Sequence, residues 1–284
     1  MSPEQEAARS VTLPQQILGW KDAAIIVASV VAVYLLFFTA TDRIETLSDA
    51  GYRVVGLGFD LLTVGLIAGL VRVRGFPVLS TLRFNRLGRR NAVMLLLLAV
   101  GLALASFGYA ALIEVFRFLP DWWWDVPSDA PASSSGWFIQ TASDGFSGPL
   151  LEEALFRGVI QPVAVSSFGV FWGILSTSLL FGLSHLVPLP AIGHALWGFA
   201  VGFAVYRSGS LLSGVFLHSA NNVLVLVTEY LSEVPDTDTI GPSPSAWELS
   251  MILLLIGVGA VVSVCALRRM KKEASGSLAS LPEI

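Results

Sequence analysis

Eight apolar stretches divide the chain, at about 23–41, 54–71, 92–113, 146–165, 170–187, 191–206, 211–231 and 247–267. Each comes close to the length that crosses a hydrocarbon core of about 30 Å. Backbone groups in lipid have to be paired within their own segment, so helices are the expected form. The pattern predicts an all-α polytopic bundle of about eight transmembrane helices. Pro188 and Pro190 join the fifth and sixth stretches, which read as a tight helical hairpin, and the sixth is the shortest. The predicted organisation is a segment 1–22 ahead of the first span, a three-span region with a long loop at 23–145, and a four-span core at 146–231. A loop with the last span follows at 232–272, then a small polar tail at 273–284 that is expected to be disordered.

Composition supports this plan. Hydrophobic residues make up 54% of the 284 positions and charged residues 13%, about half the charged share of a soluble domain. A disordered chain, a soluble globular enzyme and a nucleic-acid binder are excluded, the last also by a net charge of −4. The single cysteine, Cys265, excludes an internal disulfide framework and a cysteine-based zinc cluster. The placement of charge says more than its sum. The 72–91 loop carries Arg72, Arg74, Arg83, Arg86, Arg89 and Arg90. If that loop is cytoplasmic, Arg9, Lys21, Arg207, Arg268, Arg269, Lys271 and Lys272 are cytoplasmic too, and only Arg43, Arg53 and Arg117 face outward. The positive-inside bias then puts both termini in the cytoplasm. Glu4 and Glu6 occupy the place of a signal's positive region, so the first stretch is expected to be retained as a span. In the outward 115–145 loop, Trp122, Trp123 and Trp124 suit an interfacial anchor, and 127–136 reads as a flexible connector.

Polar residues inside spans are costly and mark function. Here they are Asp60, Glu152, Glu153, Arg157, His185, His194, His218, Asn221 and Asn222, and all three histidines fall in or beside spans five to seven. Glu153 and Arg157 stand four apart with the acid first, the favourable order for a helical ion pair. Glu152 lies about 100° around the helix from Glu153, so the same arginine serves it less well. A carboxylate left over in a low dielectric is a candidate general base. Phe181 and His185 share one helix face, as do His218 and Asn222. One base, two imidazoles and an amide are enough for a hydrolytic site. The bland alternatives are interhelical hydrogen bonds for the histidines and bracing of the bundle for the acids. For His194 an interhelical or water contact is the expected role, Asp60 stays undecided, and Gly198 with Gly202 reads as a close-packing pattern.

The blocks Glu152-Glu153-x-x-x-Arg157, Phe181-x-x-x-His185 and His218-x-x-x-Asn222 occur in order within 152–222. Together they resemble the CPBP intramembrane proteases, the family of type II CAAX prenyl endopeptidases and of Abi and bacteriocin-immunity proteins. The resemblance implies an intramembrane endopeptidase. Glu152 would be the catalytic base, His185 would help position and polarise a water, and His218 with Asn222 would stabilise the oxyanion. Glu153, Arg157 and Phe181 would support the site. No cofactor is expected. Zinc is the alternative, with Glu152, His185 and His218 as ligands, although no His-Glu-x-x-His helix is present. The expected partners are the lipid bilayer and a membrane-associated peptide or protein substrate, in a bacterial or archaeal plasma membrane. A non-catalytic immunity or scaffold protein, or a transporter, is the rival reading.

Overall fold

The computed structural model describes residues 18–41, 48–116, 119–123, 134–231 and 245–272. The long apolar stretches fold as α1 (Trp20–Thr41), α2 (Asp49–Val73), α4 (Arg89–Ile113), α7 (Gln161–Leu183), α8 (Pro188–Ser208), α9 (Leu211–Leu231) and α10 (Ala246–Arg269). Shorter pieces are α3 (Val78–Thr81), α5 (Ser134–Ala142) and α6 (Gly148–Glu153). Among the described residues there is no strand. Among the described residues seven helices are long and apolar enough to cross a membrane when Gly136–Leu183 is taken as one run.

Local chemistry sets several helix ends. The Ser48 hydroxyl accepts from the Gly51 N–H at the start of α2, and Ser245 with Glu248 forms a capping box on α10. Helix α8 opens on Pro188 and stops at Gly209, whose φ of 63° is the left-handed conformation glycine takes most readily.

Three expectations change. The fourth span does not begin at 146, because helical backbone already runs from Ser134. Trp137 there packs on Tyr230 of α9, ring centroids 5.2 Å apart, so residues assigned to the outer loop and connector belong to the bundle. Within α7 the direction reverses at Gly169 (φ 78°, ψ 172°). The two limbs press together so closely that a Cβ on Gly173 would meet the Val165 backbone at 2.5 Å. The fourth and fifth stretches are therefore the arms of one hairpin. The fifth, 170–183, is shorter than α8, which reverses the expected order. Pro188 and Pro190 lie in the first turn of α8, and the link is the turn 184–187 with Leu186 at φ 61°. Trp122 and Trp123 sit in the single turn Asp121–Trp123. Trp124, residues 124–133, the N-terminal 1–17 and the tail 273–284 lie outside the described residues.

Packing divides the molecule into an inner set (α6 to α9) and outer helices. Helices α4 and α10 meet through small residues: a Cβ on Gly101 would strike Ser263 and the Gly259 carbonyl, and one on Gly108 would strike Ile256. Close backbone approach of this kind is the usual adhesive between helices in lipid.

Candidate active site

The site is built on an irregular helix. Residues 148–153 form a short α segment between two π-helical stretches, Ser143–Ser147 and Ala154–Ile160. Each π stretch precedes a proline, Pro149 or Pro162, which lacks an N–H and clashes with the carbonyl four residues back. The ladder opens there, as π-bulges commonly do at functional sites. Glu152 and Glu153 close the regular turn between the two irregular ones.

The two glutamates have opposite surroundings. Glu153 is fully buried. Its Oε1 accepts from Arg157 Nη1 at 2.9 Å and from His218 Nδ1 at 3.1 Å. Gly214 on α9 leaves the space that Oε2 fills, which a Cβ would occupy. Arg157, also buried, donates from Nη2 to the Gly198 carbonyl at 3.3 Å, and its guanidinium carbon lies 4.4 Å from the centroid of the Phe181 ring. One turn on, Gln161 Nε2 donates to the Gly202 carbonyl at 3.0 Å. Two donors four residues apart thus reach two carbonyls four residues apart on α8. Gly198 and Gly202 do more than pack closely: they admit these side chains to the α8 backbone.

Glu152 pairs with no arginine or lysine among the described residues. Its side chain is 36% exposed, and Oε2 lies 3.9 Å from His218 Nε2. That separation is too long for a direct hydrogen bond and short enough for one water to touch both atoms. Oε2 is nevertheless buried without a hydrogen-bond partner. A single imidazole, His218, therefore faces one glutamate from each ring nitrogen.

His185 lies just past the end of α7, in the turn to α8. Its Nδ1 is 2.9 Å from the Phe181 carbonyl, which can only accept, so Nδ1 carries a proton and, in the neutral ring, Nε2 is the lone-pair nitrogen. Phe181 is the apolar centre, with ring centroids 5.0 Å from His185, 5.8 Å from His218 and 6.2 Å from Trp197. Asn222 is one turn beyond His218, and its Nδ2 donates to the Asp144 carbonyl at 2.8 Å, in the first π stretch.

Two residues outside the three sequence blocks, His194 and Asp60, lie at this site. His194 stacks on His185 at 3.8 Å with 19° between the rings. The hairpin implied by the prolines was the signal, since it brings the start of α8 back onto the end of α7. Asp60 on α2 accepts from Ser147 at 2.7 Å and lies within electrostatic range of Glu152. Nothing in its sequence neighbourhood announced that. Among the described residues no group of three or more His, Cys, Asp or Glu side chains is arranged to hold a metal ion.

Residues 134–224 match the family model described as type II CAAX prenyl endopeptidase Rce1-like. The matched stretch runs from the start of α5 into α9 and contains all the site residues above except Asp60. No curated protein and no solved structure matches the chain. Its long apolar helices make the chain an integral membrane protein, and about a third of it, residues 134–224, is similar to the CAAX-protease family.

Proposed function

We propose that the protein is an intramembrane endopeptidase that hydrolyses a peptide bond of a membrane-associated substrate with a water activated by Glu152. The division of labour between the adjacent glutamates carries this reading. Glu153 is committed to Arg157 and His218, whereas Glu152 is partly open and has no arginine.

In the proposed reaction a water sits between Glu152 and His185. The His185 Nε2 lone pair accepts one of its hydrogens, and Glu152 takes the other as a proton while the oxygen attacks the scissile carbonyl. The four-residue cluster Glu152, Glu153, Arg157 and His218 is charge-neutral when His218 carries both ring protons, and in that form Nε2 donates to the oxyanion. The second N–H of the Asn222 amide supplies another donor. Such donors are each typically worth about 2.7–4 kcal/mol of barrier. The proton on Glu152 passes to the leaving amine as the C–N bond breaks, so one water is consumed and one acid and one amine are released. His194 holds the His185 ring in place by stacking. The scheme routes no step through a metal. The arginine-rich ends of the helices are read as cytoplasmic, and removal of a prenylated tail is one substrate class to test among membrane peptides.

The test is cleavage of prenylated and helical peptides by purified protein, with products identified by mass spectrometry. Glu152→Gln is expected to lower the rate by about 10³-fold or more, with the thermal midpoint unchanged and no loss of wild-type activity to chelator. A Gln variant that cleaves at the wild-type rate removes Glu152 from this role.

A further inference from the structure

At the arginine-rich end of the bundle, away from the glutamates, Arg83 is buried with no side-chain partner among the described residues. Arg83 lies in the connection between α2 and α4 and is 7% exposed. Its side chain makes no hydrogen bond or ion pair with any described residue. Its backbone has φ 59°, a left-handed conformation that is unfavourable for a non-glycine residue. The conformation is held from outside. The Arg83 carbonyl accepts from Leu211 N–H at 2.8 Å, Asn85 Nδ2 donates to the Gly209 carbonyl at 2.8 Å, and the Ser210 hydroxyl donates to the Asn85 carbonyl. The loop is thus fastened to the turn between α8 and α9.

More positive charge converges there. Arg83 is within electrostatic range of Tyr206, itself largely buried on α8. Lys272 Nζ lies 5.7 Å from the Tyr206 ring centroid. Arg207 donates from Nη2 to the Met270 carbonyl at 2.9 Å, while its Nε is buried with no partner. No carboxylate among the described residues pairs with Arg83 or Arg207. Burial pulls the Arg83 guanidinium down to about 10, which leaves it fully charged at neutral pH. A buried charge without a counter-ion is among the most costly features a fold can hold. Backbone strain on the same residue adds to the cost, and such strain collects at ligand sites.

We propose that Arg83, with Tyr206, Arg207 and Lys272 around it, is a binding site for a phosphate-bearing anion. A guanidinium fork matches phosphate oxygens in pairs. The site lies where the ends of α2, α8 and α10 meet the starts of α4 and α9, at the boundary where phospholipid headgroups are found. Two sources share the chemistry, the phosphodiester of an anionic lipid and free phosphate.

The experiment is a thermal-unfolding series on the full-length protein in a neutral detergent. Dioleoylphosphatidylglycerol, dioleoylphosphatidylcholine or inorganic phosphate is added to wild type, Arg83→Gln and the exposed control Arg72→Gln. A ligand bound only by the folded state raises the midpoint by mass action. Wild type and Arg72→Gln are expected to gain about 5 °C with phosphatidylglycerol, or with phosphate if the free ion is the ligand, and little with phosphatidylcholine. Arg83→Gln should keep less than about a third of that gain. Without added anion, Arg83→Gln should be at least as stable as wild type, since glutamine bears the same backbone strain and removes an unpaired charge. A gain that survives in Arg83→Gln, or no gain from either anion in wild type, overturns the proposal. So does an Arg83→Gln variant less stable than wild type before any anion is added, which makes Arg83 a structural residue.

Discussion

Helix α1 and the run from α5 to α7 are both apolar enough to cross a membrane, yet they are built differently. Only 17% of the most apolar window of α1 is buried inside the protein, and the same holds for α10, against 44% for the Gly136–Leu183 run and for α8. The outer helices turn Leu35, Leu36 and Leu254 to the surface, where lipid lies. The inner ones enclose Glu153, Arg157, Gln161 and His218. In water, burial sorts apolar from polar residues. In a bilayer lipid is as apolar as leucine, so burial inside the bundle goes instead to small residues and to polar groups that find partners.

The comparison is most sharply tested at the ion pair. Arg157→Met leaves the Glu153 carboxylate with only His218 in a dry interior, and is expected to cost about 3–5 kcal/mol of stability, read from the unfolding midpoint in detergent. Glu153→Gln combined with Arg157→Met should cost less than Arg157→Met alone, because it removes the stranded charge; equal or greater loss would count against a charge-pair origin. A smaller effect is expected at His194. His194→Ala should lower the cleavage rate about tenfold, or about 1.4 kcal/mol, by letting the His185 ring turn. His194→Phe, which keeps a stacking face, should recover most of the rate with the pH profile unchanged. A flat response to both variants would free His194 from any positioning role. The smallest effect belongs to the outer surface: Leu254→Ala on α10 should shift stability by less than about 0.5 kcal/mol, and a larger loss would mean that this face is covered by protein rather than lipid.

Much of the inner set was legible in the sequence. The order acid-then-arginine at 153 and 157 anticipated the buried pair, because a spacing of four on a helix is decided by local geometry. The same arithmetic left Glu152 without a cation, and among the described residues no arginine or lysine pairs with it. Where it failed, the cause was non-local. The π stretches around Glu152 and Glu153 rephase the helix in a way that a constant 100° per residue does not contain, although Pro149 and Pro162 marked the places. The stack of His194 on His185 depends on how sharply the 184–187 turn closes. The buried state of Arg83 depends on a loop docking against a turn more than 120 residues away in sequence.

The residue order by itself determined that this chain lives in lipid as helices, and which acids and imidazoles stand on common faces, because hydropathy and helical periodicity act over a few turns of chain. Only the tertiary structure decided that one histidine sits between the two glutamates, that two glycines open α8 to Arg157 and Gln161, and that an arginine is enclosed with no acid beside it among the described residues. Those outcomes come from side chains on different helices competing for the same small space, which no stretch of sequence records alone.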